Sequence, residues 1–263
     1  MPKIQANGIQ LYYEIAGPAD APVVMLSNSL GTRLEMWDPQ MQALTERYRV
    51  VRYDSRGHGR SDAPDGPYTI DMLADDALGL LDALDIERAH FCGLSKGGMV
   101  GQMLGAKHGD RLISLTLCST ACFMEAKHLW DERIKVASEQ GMAALADAVV
   151  ERWFTPEFRA EPSILVERVR QMVLDTPAQG YAACCAAIRD MDLREAITAI
   201  RVPTQIIVGA DDPATPPARA EEIHERIPNS RLEVIPDAAH LLNIEQDVAF
   251  DASLRSFLDH HSH

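Results

Sequence analysis

A chain of 263 residues that is 46% hydrophobic and 24% charged has the composition of a globular protein, and the length of one α/β domain or two small ones. It contains no apolar run approaching the roughly 20 residues of a membrane-spanning helix, which excludes a helical membrane protein. The formal net charge of -14 argues against nucleic acid as a partner, and disfavours a small anionic substrate unless local arginines reverse the field.

The first residues, Met1-Pro2-Lys3-Ile4-Gln5, lack the apolar segment of a secretory signal, so a cytoplasmic setting is expected. Ile9, Leu11, Tyr13 and Ile15 alternate with mostly polar residues, as in an edge strand with one wet face. Continuous apolar runs at residues 22–27, 49–53, 90–94, 112–118 and 205–208 read as strands buried on both faces, and residues 232–235 as a last strand. Helical patterns fill residues 71–84, 97–107, 218–227 and 245–259. This alternation predicts an α/β fold with a mostly parallel sheet flanked by helices. Residues 121–190 break the rhythm: four amphipathic helices, punctuated by Gly141, Pro156, Pro162, Pro177 and Gly180, with no convincing strand. They read as a helical cap inserted into a core formed by residues 1–120 and 191–263. The five cysteines (Cys92, Cys118, Cys122, Cys184 and Cys185) match no zinc site or disulfide framework and read as reduced thiols. The tail His260-His261-Ser262-His263 offers no rigid coordination geometry, so no metal is expected.

The most informative motif is Gly93-Leu94-Ser95-Lys96-Gly97-Gly98, a G-x-S-x-G set directly after an apolar strand and before a helix. The bare pattern also occurs by chance in glycine-rich turns. In this context it resembles the nucleophile elbow of the α/β-hydrolase fold, where a strained strand-to-helix turn lifts the serine hydroxyl above the sheet. Glycines at 93 and 97 would relieve the crowding between strand and helix. On that fold the acid and the histidine follow the serine in the chain. His240 lies past the last strand, at the required place. His58 sits in a glycine-bounded turn, His90 and His108 lie at the wrong ends of their elements, and His128 and His224 look like surface helix positions. Asp211 and Asp212 both follow the strand at 205–208. The usual G-x-x-D spacing favours Asp212, while Asp237 stands too close to His240 in sequence to orient it well. Ser95 would then be the nucleophile, His240 the general base and Asp212 its orienting acid. The N–H groups of Lys96 and Leu30 are the expected oxyanion donors, because Asn28-Ser29 aligns with a His-Gly pair common on this fold and Gly31 lets the backbone turn.

With these motifs in view, the chain resembles the 3-oxoadipate enol-lactonases along almost its whole length. The likeness is carried by Ser27-Asn28-Ser29-Leu30-Gly31-Thr32 with Trp37, by Arg52-Tyr53-Asp54-Ser55-Arg56-Gly57-His58-Gly59 and by Phe91-Cys92-Gly93-Leu94-Ser95. In the cap it is carried by Trp130 with Arg133, by Gly141-Met142, by Arg152-Trp153-Phe154-Thr155, and by Gly180-Tyr181 with residues 185–190. Ala239-His240-Leu241 with Asn243 and Glu245 completes it. The resemblance implies cofactor-free, cytoplasmic hydrolysis of a small anionic lactone, with Trp130, Arg133, Arg152 and Trp153 as substrate-binding residues. Arg133, Arg152 and Arg189 remain alternative readers of the substrate carboxylate. The family usually has methionine where this chain has Lys96. Its side chain either stretches to a polar partner or adds positive charge near the site. Another reaction on the same triad (carboxylesterase, perhydrolase or carbon–carbon bond hydrolase) stays open, as do a ligand-binding regulator on this scaffold and a homo-oligomer.

Overall fold

The computed structural model describes residues 2–161 and 163–262. Met1, the punctuation read at Pro162 and the last tail histidine, His263, lie outside the described residues.

Eight strands form one sheet: β1 (Lys3–Ala6), β2 (Ile9–Ala16), β3 (Val23–Ser27), β4 (Arg49–Tyr53), β5 (Ala89–Leu94), β6 (Leu112–Cys118), β7 (Thr204–Gly209) and β8 (Arg231–Ile235). Their spatial order is β1-β2-β4-β3-β5-β6-β7-β8. β2 pairs antiparallel with both β1 and β4, and every other pairing is parallel. β3, β5 and β7 are buried at every position, as continuous apolar runs require in a sheet covered on both faces. β2 is not the edge strand its alternation suggests. The four-residue β1 adds outside it, and Tyr12 is buried along with Ile9 and Leu11.

The helices of the first half are α1 (Asp38–Thr45), α2 (Ile70–Ala83) and α3 (Lys96–Lys107). α2 shows how local sequence sets an element. Thr69 caps it by accepting the N–H of Met72, and Ile70, Leu73, Ala74, Ala77, Leu80 and Leu81 bury one face at helical spacing. Between β6 and β7 come α4 (Lys127–Gln140), α5 (Ala143–Trp153), α6 (Pro156–Ala160), α7 (Ile164–Asp175) and α8 (Ala178–Asp190). Among the described residues there are thus five helices where four were expected. The extra one is the single turn begun by Pro156, with the Thr155 hydroxyl accepting the N–H of Phe158. A lone antiparallel bridge, Phe123 to Asp192, closes the base of this insertion. The chain ends with α9 (Pro217–Arg226), the short α10 (Leu242–Glu245) and α11 (Asp247–His261).

Strand order reverses about β3 and β5: β3 leads to β4 on one side, and β5 leads to β6 on the other. The C-terminal ends of β3 and β5, with Ser27 level with Gly93, therefore open a crevice of the kind where α/β sheets bind ligands. The insertion roofs it.

Candidate active site

β5 runs fully buried into Ser95, whose backbone (φ 58, ψ -114) lies in a region that L-residues rarely adopt. The turn tolerates no side chains beside it. A Cβ at Gly93 would sit 2.1 Å from the Gly97 carbonyl oxygen, and one at Gly97 would sit 2.2 Å from that of Ser27. The strain is held from both sides. The Ser95 N–H donates to the Cys118 carbonyl at 2.8 Å, and the Thr120 hydroxyl donates to the Ser95 carbonyl at 2.8 Å.

Asp212 and His240 come from the loops after β7 and β8. Asp212 Oδ2 lies 2.8 Å from His240 Nδ1 and accepts the Thr215 hydroxyl at 2.9 Å. Its Oδ1 accepts the N–H groups of Ala214 and Thr215 at 2.8 and 3.0 Å. Burial by itself would raise its pKa, but the neighbouring His240 and the Thr215 donors outweigh it and hold the carboxyl below its ordinary value. Asp211 is solvent-exposed, and its backbone N–H is tied to the Ala238 carbonyl. Trp153 stacks on the His240 ring at 6.1 Å and 28°. Ser95 and His240 line the same cleft, though Ser95 Oγ makes no hydrogen bond to the imidazole among the described residues. Such bonds commonly tighten only with substrate bound.

Of the expected oxyanion donors, Leu30 lies in the loop after β3 and Lys96 is the first residue of α3, next to Ser95. Among the described residues neither backbone N–H has a partner. Leu30 lines the cleft, and Gly31 after it adopts φ +76.

The cleft's free space, mouth included, is about 530 Å³. Trp130, Arg133, Arg152 and Trp153 all line it, so the cap residues are brought together with Ser95 and His240. The Arg133 guanidinium lies over the Trp130 ring, 5.0 Å from its centre. Arg152 is solvent-exposed overall, yet burial of its charged end and then the Arg133 charge lower its pKa. Neither arginine has an ion-pair partner among the described residues. Arg189 does, with Asp131 and Asp190 each at 2.7 Å. Those two carboxylates occupy its guanidinium, which removes Arg189 from the three candidates. Among the described residues no group of three or more His, Cys, Asp or Glu side chains could hold a metal ion, and no helix is long and apolar enough to cross a membrane.

The family profile described as alpha/beta hydrolase fold matches residues 22–247. The chain belongs to the α/β-hydrolase family. It is 42% identical to 3-oxoadipate enol-lactonase 1 of Acinetobacter baylyi, over 93% of this chain and 91% of that protein. It is 38% identical to 3-oxoadipate enol-lactonase 2 of the same organism, over 97% and 95%. The crystal structure of an enol-lactonase from Burkholderia xenovorans superimposes with a TM-score of 0.96, at 44% identity, covering 98% of this chain and all of that one.

In this α/β hydrolase the Lys96 side chain does not enter the cleft. It is buried and donates to the Ser55 hydroxyl in the turn after β4, so the first of its two readings describes it. Burial lowers its pKa. Two contributors escaped the sequence. Thr215 is an ordinary threonine until the loop brings its hydroxyl onto Asp212. Glu245 accepts the N–H groups of Thr155 in the cap (2.9 Å) and Ala239 beside His240 (2.8 Å), fastening cap to histidine loop. The motif containing Glu245 was visible; the bridging role needs the fold.

Proposed function

We propose that this α/β hydrolase opens 3-oxoadipate enol-lactone to 3-oxoadipate in the cytoplasm, without a cofactor, using Ser95, His240 and Asp212. Ser95 Oγ attacks the lactone carbonyl while His240 takes its proton, and Asp212 holds the imidazole in the tautomer that accepts at Nε2. The developing oxyanion is received by the N–H groups of Leu30 and Lys96. Collapse breaks the ring C–O bond, His240 returns the proton, and the released enol tautomerises to the ketone. Water activated by His240 then frees the second carboxylate and restores Ser95. Residues 121–190 act as the cap that selects the substrate.

The observation that carries this substrate is the pair of guanidiniums, Arg133 and Arg152, lying in the cleft without carboxylate partners among the described residues. What sets these two apart is their place: two guanidiniums beside a nucleophile, in a protein of net charge -14, suit an anionic substrate. The indole of Trp130, under Arg133, supplies a flat apolar surface for the planar ring. The named activity of the Acinetobacter and Burkholderia relatives supports the same reading.

The test follows absorbance with enol-lactone made enzymatically just before use, beside a neutral p-nitrophenyl ester. Ser95→Ala should abolish multiple turnover of both by a factor on the order of 10⁴. Arg133→Met or Arg152→Met should raise KM for the lactone by about tenfold, the ~1.4 kcal/mol of a charge-assisted contact, and leave the neutral ester unchanged. Equal effects on both substrates would remove the carboxylate-binding role. Stoichiometric binding without turnover in the native protein would favour a regulator.

A further inference from the structure

His58 belongs to the turn after β4, 27 residues from the oxyanion loop in sequence, and is fully buried. Its Nε2 accepts the N–H of Gly31 at 2.9 Å, and its Nδ1 donates to the Arg56 carbonyl at 3.1 Å. This pair of bonds requires the neutral ring with its proton on Nδ1. Burial, and then the charge of Lys96, push the pKa of His58 well below its ordinary value, which agrees with that geometry.

Successive peptides of the loop it grips are held by different partners. The peptide joining Ser29 to Leu30 is held through its oxygen, which accepts the Thr32 N–H at 3.3 Å and the Thr32 hydroxyl at 3.0 Å. The next peptide joins Leu30 to Gly31, and glycine at φ +76 would let it rotate at little steric cost. His58 takes the N–H of that peptide. From the cap side, Thr176 donates its hydroxyl to the Gly31 carbonyl at 3.2 Å. The turn bearing His58 is itself fixed: the His58 N–H donates to the Ser55 carbonyl at 2.9 Å, and Arg56 grips buried Asp76 with two bonds of 2.6 and 2.8 Å.

We propose that His58 is a positioning residue of the reaction: by occupying the Gly31 N–H it pins the Leu30–Gly31 peptide, so that the backbone at Leu30 cannot swing and the Leu30 N–H, on the adjoining peptide, stays aimed at the carbonyl that Ser95 attacks. This rests on the assignment of Leu30 and Lys96 as oxyanion donors. A positioning role makes a specific demand, that the acceptor at the Nε2 place matters and the donor at the Nδ1 place does not suffice.

Two variants separate these. His58→Gln puts an amide oxygen where Nε2 stood, within reach of Gly31. His58→Asn is too short for Gly31 but keeps a donor for Arg56. The readouts are kcat and KM on the enol-lactone, the affinity of an alkylboronate, which adds to Ser95 and presents an oxyanion, and competitive inhibition by 3-oxoadipate as a measure of ground-state binding. His58→Gln should keep kcat within about tenfold of native. His58→Asn should lose on the order of 10²-fold in kcat, as for a lost oxyanion donor, with boronate affinity falling in step and KM and product inhibition moving less than about threefold. Variants that behave alike, a loss confined to KM, unchanged boronate affinity in His58→Asn, or loss of fold in both by circular dichroism would each overturn the proposal. If native protein neither turns over lactone nor binds boronate through Ser95, with Ser95→Ala as control, the functional reading itself has failed.

Discussion

At the scale of single residues, the choice between Asp211 and Asp212 shows how neighbours with the same side chain acquire different chemistry. Asp212 is buried and receives four hydrogen bonds, including the one that orients His240, whereas Asp211 faces solvent. Asp212→Asn should cut kcat by a factor on the order of 10³–10⁴, because an amide can present N–H to the imidazole and favour the wrong tautomer. Asp211→Asn should change it less than about twofold. The reverse ranking would reassign the acid. The depressed pKa of Asp212 also contributes stability, present in full above the ordinary carboxylate value of 3.8 and lost as pH falls below it through the folded value. Asp212→Asn should lack that acid-side dependence in thermal melts. The residue that pairs with His240 was legible from its place as the fourth residue of a G-x-x-D turn. Thr215 was not, because a hydroxyl three residues onward has no pattern until the loop closes. His58 was read only as part of a turn, since its partner, the N–H of Gly31, is backbone and leaves no mark in the sequence.

Between elements, Lys96 joins the first turn of α3 to the turn after β4, through Ser55. Burial depresses its pKa, with Cys184, Asp76 and Asp54 only partly opposing. A lysine whose folded pKa lies below its unfolded value binds fewer protons folded than unfolded. The cost is therefore complete below the folded pKa, and stability rises with pH from there towards the unfolded value of 10.5. Lys96→Met, which keeps the backbone N–H, should raise Tm at neutral pH by about 3 °C, the equivalent of roughly 1 kcal/mol, with the gain shrinking as pH approaches 10.5. Turnover should be kept. A lower Tm at neutral pH would mean that the ammonium is net stabilising in its pocket of acids and thiols. The elements themselves were largely readable. The buried strands β3 to β7 announce themselves as apolar runs because both faces are covered. β1 was missed, since Lys-Ile-Gln-Ala is too short and polar to carry a period, and its absence made β2 look like an edge. α6 was missed because a single turn after Pro156 has no amphipathic repeat to read.

At the scale of the whole molecule, a carboxylate substrate must approach a protein carrying 25 cationic and 39 acidic side chains. On the proposed reading the cap arginines act at contact distance, while the net charge acts as far as salt allows. Spread over a sphere of about 24 Å radius for a chain of this length, -14 repels a monoanion by about 1.3 kcal/mol where the Debye length is 30 Å, near 10 mM salt. At about 150 mM, with a Debye length of about 8 Å, the repulsion falls to about 0.6 kcal/mol. The proposed contact between Arg133, Arg152 and a bound carboxylate would be sheltered in the cleft and screened much less. Raising salt over this range should therefore increase kcat/KM for the enol-lactone by about threefold and leave a neutral p-nitrophenyl ester unchanged. The comparison needs a non-coordinating salt such as KCl and a check that stability is constant across the series. A decrease for the lactone alone would show that the arginine field reaches past the cleft mouth and dominates the approach. Parallel changes in both substrates would mean that salt acts on the protein and not on the encounter. In Arg133→Met the long-range term persists, so the lactone should gain at least as much from salt as it does with the native protein, although it starts from a weaker site.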